Sequence, residues 1–256
     1  MRALNSNWLK QLSTTGTTAK TVTEFLQVLC TETPVISELN FRTYLLAPRL
    51  DERVRKEEVI EDAVLAKAEQ FKSAYGGSLW DAALRILMHK GDYLPESLLS
   101  QAIIHKHNPR ERSFSITNEE FVMHGAGSII KSLEDDEGLA ICSRVRVRNG
   151  YSAHLPMLDF ACKPTKANCG AVEYMLRAID QSGIVLNSGD SYHFIGISLL
   201  TADEWLRFMG QSLLLTPLID ARYMGHRLYD GECYLRVFAK NKPLNEPLIE
   251  SLVFTD

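Results

Sequence analysis

The sequence lacks the features of a membrane, secreted or strongly basic protein. No apolar run approaches the roughly 20 residues that a helix needs to span a bilayer. Residues 1–8 also lack the hydrophobic stretch of a secretory signal peptide, so we expect a cytoplasmic protein without membrane contact. The formal net charge is −4. Non-specific nucleic-acid binding would therefore need a local basic surface.

Cysteine is scarce and scattered, which argues against a disulfide framework and against a zinc finger. The five residues are Cys30, Cys142, Cys162, Cys169 and Cys233, an odd number. Cys162 and Cys169 form a single C-x6-C pair, and no second pair accompanies them at zinc-finger spacing. We expect these residues to be small, partly buried thiols.

The first part of the chain is predicted to be mainly helical. Hydrophobic residues make up 45% of the chain and charged residues 23%, which is ordinary for a folded domain. Before residue 110, apolar residues recur mostly at helical spacing, with one strand-compatible stretch at 41–46. The predicted helices cover residues 22–30, 51–73, 79–89 and 95–104. We assign residues 1–110 to an N-terminal region whose role stays open among three alternatives: completing the sheet, forming a helical lobe or binding a protein partner.

After residue 110 the pattern changes to an α+β domain over residues 111–256. Two hairpins are predicted, and the first turns at Asn149-Gly150, a strong hairpin signal. The predicted strands cover residues 139–148, 153–160, 184–188, 192–197 and 234–239, with helices over 165–179 and 201–215. This order implies an antiparallel or mixed sheet with helices packed on it.

Three polar residues, Asp159, His193 and Asp220, each lie at or near the end of an apolar run. Two carboxylates and a histidine that converge from separate strands suit a divalent metal and a phosphate chain. Each residue also has a structural alternative. Asp159 suits a turn, His193 a hydrogen-bonded core position and Asp220 a helix N-cap.

A row of basic residues, Arg144, Arg146 and Arg148, runs along the first predicted strand. If the hairpin loop has an even number of residues, these arginines share the sheet face that carries Asp159. Guanidinium groups would then border a carboxylate, an arrangement that suits a nucleotide or a nucleic-acid backbone. An odd loop or a bulge reverses the inference. The alternative is an exposed strand face whose charge discourages aggregation.

The segment from Leu155 to about Pro243 resembles the catalytic half of the archaeo-eukaryotic primase superfamily, the primase–polymerases. In that family a strand ends in a pair of metal-binding carboxylates, a hairpin carries Ser-x-His, and a third strand ends in an apolar residue followed by Asp. Ser191 and His193 fit the second motif, and Asp220 fits the third. The basic residues that follow resemble the region that lines the template or triphosphate; they are Arg222, His226 and Arg227.

The resemblance implies a primase-like, RRM-like palm sheet, a nucleoside triphosphate or single-stranded nucleic acid as partner, and one or two Mg²⁺ or Mn²⁺ ions. Asp159 and Asp220 would hold the metal and carry catalysis. Ser191 and His193 would bind the nucleotide. One expected carboxylate is missing, because Ala161 stands where the second member of the first pair belongs.

Three functions follow from these patterns. The first is a nucleotide- or nucleic-acid-binding protein with weakened or lost nucleotidyltransferase activity, which the resemblance associates with bacterial mobile elements or antiphage defence. The second is an active Mg²⁺- or Mn²⁺-dependent DNA or RNA primase-type nucleotidyltransferase. The third is a catalytically dead structural subunit of a larger complex.

Overall fold

The computed structural model describes residues 8–10, 19–46, 60–75, 79–91, 94, 96, 99 and 110–255. The chain forms two compact units, one of residues 1–46 with 109–256 and one of residues 47–108. The sequence predicts a boundary at residue 110, whereas residues 1–46 group with the C-terminal part of the chain. The physical reason is strand β1 (Ile36–Leu45), which pairs with two strands from the C-terminal part of the chain.

The larger unit contains the strands and six of the described helices. The strands after β1 are β2 (Ser113–Thr117), β3 (Glu137–Val147), β4 (Ser152–His154), β5 (Met157–Asp159), β6 (Gly183–Asn187), β7 (Tyr192–Gly196), β8 (Tyr234–Ala239) and β9 (Leu248–Val253). Its helices are α1 (Val22–Glu32), α4 (Asn118–His124), α5 (Gly127–Lys131), α6 (Lys166–Ala178), α7 (Ala202–Leu213) and α8 (Ala221–Asp230).

The strands form two antiparallel sheets, which confirms the predicted α+β class. The first is five-stranded, with the order β2-β1-β3-β4 and with β8 also paired to β3. The second is four-stranded, with the order β5-β7-β6-β9. Strand β9 was not among the predicted strands, and it extends the second sheet beyond β6.

The predicted strand over residues 153–160 is divided between the two sheets. Its first part, β4, pairs with β3, and its second part, β5, pairs with β7. Pro156 lies at the division and has no N–H to donate to a ladder. The Pro156 carbonyl instead accepts a hydrogen bond from the Gly196 N–H at 2.8 Å. This division places Asp159 at the end of a strand in the second sheet.

Helix ends follow the capping rules that the sequence contains. Thr201 and Glu204 form a capping box at the start of α7, as predicted, and Thr21 and Glu24 form another at α1. Of the predicted helix over 51–73, the structure describes a helix at Asp62–Tyr75, and residues 51–59 lie outside the described residues. Most of the predicted helix over 95–104 lies outside them too.

The core of the larger unit is a continuous cluster of buried apolar residues from both sheets and their helices. Phe41 and Phe121 pack with ring centroids 5.5 Å apart, which fixes α4 against the first sheet. The unit of residues 47–108 has its own cluster, in which Trp80 of α3 (Leu79–Lys90) packs with Val64 and Ala68 of α2 (Asp62–Tyr75). None of the helices in the described residues is long and apolar enough to cross a bilayer.

Gly183 is required by the close approach of β6 and β7. A Cβ at this position would lie 2.2 Å from the Ile195 carbonyl oxygen.

We expect Gly183→Ala to lower the free energy of unfolding by about 1–3 kcal/mol through overpacking, measured by denaturant titration. Gly210→Ala is the matched control. It has nothing within 4 Å of its Cβ and should stabilise α7 by roughly 0.5–1 kcal/mol. Equal effects of the two substitutions would contradict the packing account.

Candidate functional site

The first two sequence motifs meet across the second sheet. Asp159 and His193 are directly opposed in the antiparallel pairing of β5 and β7. The Nε2 atom of His193 lies 3.6 Å from Oδ1 of Asp159. The Ser191 hydroxyl donates a hydrogen bond to the same Oδ1 atom at 3.2 Å. One carboxylate oxygen therefore faces both members of the Ser-x-His motif.

The third motif lies beside the first. The Asp220 N–H donates to the Asp159 carbonyl oxygen at 3.0 Å, and Phe160 forms an antiparallel bridge with Ile219. The Asp220 side chain also caps α8, because its Oδ1 atom accepts hydrogen bonds from the N–H groups of Arg222 and Tyr223 at 3.0 and 2.9 Å. The N-cap alternative for Asp220 is thus correct, and it leaves Asp220 adjacent to Asp159.

The surroundings of this cluster favour uncharged side chains. Burial, with a further contribution from the neighbouring Asp220 carboxylate, raises the pKa of Asp159 to about 8. Burial, with the nearby Arg236 and Lys242 cations, lowers the pKa of His193 to about 3. At neutral pH the two opposed groups are therefore mainly a protonated carboxyl group and a neutral imidazole, which do not form an ion pair.

A cavity of about 390 Å³ opens in front of Asp159. Four of the residues singled out in the sequence line it: Asp159, Ser191, His193 and Arg227. The other lining residues are Arg42, Tyr44, Glu111, Ala140, Ser188, Asp190, Tyr223, Tyr234, Leu235, Arg236 and Lys242. Residues from both sheets and from α8 therefore face one space. Asp220, Arg222 and His226 are absent from this lining.

Arg144, Arg146 and Arg148 of β3 do not share a sheet face with Asp159, as they would if the hairpin loop had an even number of residues. Val147 N–H donates to the Tyr151 carbonyl, and Arg144 opposes His154, so even-numbered residues face even-numbered ones. The loop is odd, and Asp159 belongs to the other sheet. Arg146 forms an ion pair with Glu38 at 3.3 Å, and Arg148 pairs with Glu119 at 3.0 Å. Arg144, Arg146 and Arg148 are not among the residues that line the cavity.

Arg227 is buried in the cavity wall with part of its guanidinium unsatisfied. Its Cζ lies 3.3 Å from the centroid of the Tyr234 ring, and its Nη2 lies 3.2 Å from Asp230. Its Nε and Nη1 atoms have no hydrogen-bond partner within the described part of the chain. The same holds there for the buried Nδ1 of His193. Buried donors and acceptors are normally paired, so both side chains are suited to meet a ligand.

Arg236 is a cavity residue that the sequence did not single out. Its guanidinium donates to the carbonyl oxygens of Leu244, at 2.5 Å, and of Ser188. It thereby connects β8 to the turn that carries Ser191. Within β8 it reads as one more alternating polar residue, and nothing in its local sequence indicates the contact with a distant hairpin.

The charges that line the cavity favour an anionic ligand. The lining contains four cationic side chains, Arg42, Arg227, Arg236 and Lys242, and three carboxylic acids, Glu111, Asp159 and Asp190. Glu111 pairs with Arg42 at 2.9 Å and Asp190 with Lys242 at 3.7 Å, while burial raises the pKa of Asp159 to about 8. The positive charges of Arg227 and Arg236 are therefore not balanced by carboxylates of the lining. A surplus of positive charge in a partly enclosed space attracts anions such as phosphates.

Asp159 and Asp220 would suit one divalent cation better than two. Among the described residues there is no group of three or more His, Cys, Asp or Glu side chains arranged to hold a metal ion. Asp159 and Asp220 are hard oxygen donors, and Mg²⁺ often binds through one or two carboxylates together with phosphate oxygens and water. Two-metal sites hold ions roughly 4 Å apart, usually bridged by a further carboxylate, and Ala161 cannot supply one.

Comparison with known families agrees with the three motifs. A family model described as archaeo-eukaryotic primase 1D-like matches residues 117–247, about half of the chain. The chain belongs to the archaeo-eukaryotic primase-like family. No curated protein and no solved structure gives a significant match. The matched region includes β3 to β8 and therefore all three motifs of this primase-like site.

The raised pKa of Asp159 predicts a pH-dependent gain of stability in Asp159→Asn. The folded pKa is about 8 against an ordinary value of 3.8. The wild type therefore loses stability relative to the variant as pH rises from about 4 to 8, and the difference levels off above 8. Melting temperatures of both proteins from pH 5 to 9, in chelator, measure it. Asp190→Asn controls for removing a carboxylate from the same cavity. A difference that stays constant over this range would contradict the raised pKa of Asp159.

Proposed function

We propose that this primase-like protein binds a nucleoside triphosphate in the cavity and has weakened or lost nucleotidyltransferase activity. The observation that carries the proposal is the convergence of Asp159, Ser191, His193 and Arg227 on one partly enclosed space. These residues come from three separate parts of the chain, namely β5, the β6–β7 hairpin and α8. Buried polar atoms of His193 and Arg227 have no hydrogen-bond partner in the described structure.

The phosphate chain is expected at the polar wall of the cavity. Neutral His193 and the Ser191 hydroxyl are able to donate hydrogen bonds to phosphate oxygens, and the guanidinium of Arg227 adds positive charge. Arg236 and Lys242 contribute further positive charge to the same wall. These groups suit a triphosphate, which carries several negative charges over a short length.

A single Mg²⁺ or Mn²⁺ ion would be held by Asp159 and Asp220 together with the phosphates. Such an ion supplies charge stabilisation for the phosphate chain. Because metal binding needs an ionised carboxylate, the raised pKa of Asp159 makes the proposed metal affinity increase with pH up to about 8. With Ala161 in place of a second carboxylate, the arrangement supports binding more readily than two-metal phosphoryl transfer.

Single-stranded nucleic acid is the second proposed ligand. Arg144 and Arg146 are exposed on β3 and remain candidates for backbone contacts. A role in bacterial antiphage defence or mobile elements, and a protein partner for residues 1–110, also remain predictions from the sequence.

Nucleotide binding is tested by titrating ATP with Mg²⁺ into the full chain in a calorimeter. We expect binding by the wild type and about tenfold weaker binding by His193→Ala, because one hydrogen bond to a charged group is lost. The control is His124→Ala, an exposed histidine at the end of α4. If the wild type does not bind ATP, or if both variants bind equally well, the proposal is wrong.

Weakened catalysis is tested by restoring the missing carboxylate. Ala161 is half-buried and follows Phe160 at the edge of the site. We expect Ala161→Asp to increase primer synthesis on single-stranded DNA with Mn²⁺ over the wild type, and Ala161→Asn, which has a similar shape but no charge, to leave it low. Strong synthesis by the wild type that disappears in Asp220→Ala would instead support an active primase.

A further inference from the structure

Tyr44 occupies a position in the cavity that none of the three motifs contains. It lies on β1, directly opposite Gly138 on β3. A Cβ added to Gly138 would be 2.4 Å from Cζ and 2.6 Å from Oη of Tyr44. The hydroxyl end of the Tyr44 ring therefore fills the space that a side chain at residue 138 would take. The ring extends across the face of the sheet and does not stand away from it.

Small residues on β3 make room for this arrangement. Ala140 follows Gly138 on the same face and also lines the cavity. Arg42 and Arg236 flank Ala140 on the two neighbouring strands, since both are its register partners. The small side chains on β3 therefore leave open space above this strand. Tyr44 lies at one end of that space, and the guanidinium-bearing residues Arg42 and Arg236 lie on its two sides.

Tyr44 differs from Tyr234, the other tyrosine on this face of the sheet. The Tyr234 ring already has two guanidinium groups against it, with Cζ of Arg227 at 3.3 Å and Cζ of Arg42 at 4.3 Å from its centroid. Burial raises the pKa of Tyr44 to about 12, although the nearby Arg236 lowers it. Tyr44 is therefore a neutral aromatic surface beside a charged, phosphate-suited wall.

We propose that Tyr44 contacts the base or sugar of the nucleotide whose phosphates lie against Ser191 and His193, and that Gly138 orients the Tyr44 ring for this contact. This inference rests on the proposed nucleotide binding. Aromatic side chains stack on every base because every base has a π-face. The polar wall and Tyr44 thus divide the cavity into a phosphate end and a nucleoside end.

The test compares ATP with inorganic tripolyphosphate, which has the phosphates without the nucleoside. Calorimetric titrations with Mg²⁺ are made on the full-length wild type and on Tyr44→Leu, with Tyr174→Leu, an exposed tyrosine on α6, as control. We expect Tyr44→Leu to weaken ATP binding about tenfold and to leave tripolyphosphate binding at the wild-type level. Tyr44→Phe keeps the ring and should restore ATP binding. His193→Ala should weaken binding of both ligands.

Gly138→Ala tests the orientation of the ring. It should weaken ATP binding in the wild-type background but add little to Tyr44→Leu, because leucine lacks the ring atoms that a Cβ at residue 138 would meet. This non-additivity is a signature that two independent structural effects would not give. Additive losses would overturn the role of Gly138.

The outcomes separate this inference from the proposed function. Wild-type protein that binds ATP while Tyr44→Leu binds it equally well would overturn the role of Tyr44 alone. Equal losses for ATP and tripolyphosphate in Tyr44→Leu would overturn it too, since they would indicate a general distortion of the cavity. Wild-type protein that binds neither ligand would overturn the proposed function and this inference together.

Discussion

The antiparallel pairing of β5 with β7 determines the geometry of the site. It sets Asp159 opposite His193, while the bridge between Phe160 and Ile219 brings Asp220 beside Asp159. A one-residue shift in either pairing would turn the side chains to the opposite face of the sheet. Pro156 has no N–H to donate to the ladder of the first sheet. The chain leaves the first sheet at this residue, and β5 pairs with β7 in the second sheet.

Burial then gives the site its electrostatic character. Placing Asp159 in a partly enclosed space next to Asp220 raises its pKa, and the same enclosure keeps His193 neutral. A carboxyl group with such a pKa is costly to ionise unless a cation is bound to it. The surplus of arginine and lysine around the cavity attracts the phosphates that would accompany that cation. Under the proposed function, binding of nucleotide and metal would thus be coupled, and the absence of a carboxylate at Ala161 would limit the metal to a single ion.

The motif residues could be predicted because each signal is local. An apolar run that ends in Asp159, a hairpin that carries Ser191 and His193, and an N-cap at Asp220 are visible within short segments. Arg42, Tyr44 and Arg236 could not be predicted, because their place in the cavity depends on β1 and β8 pairing with β3 from distant parts of the chain. The sheet face of the Arg144 row could not be predicted for a related reason. It depends on the parity of one loop, which Asn149-Gly150 alone does not determine.

We propose that this site holds a nucleotide and one metal ion, where a complete pair of carboxylates would hold two. Electron paramagnetic resonance of Mn²⁺, titrated into the full chain with a non-hydrolysable ATP analogue, counts the bound ions directly. We expect one bound Mn²⁺ per chain, with binding lost in Asp159→Asn. Two bound ions would contradict the proposal that Ala161 restricts the site to one metal ion. A count that Asp159→Asn leaves unchanged would contradict the assignment of Asp159 as a metal ligand.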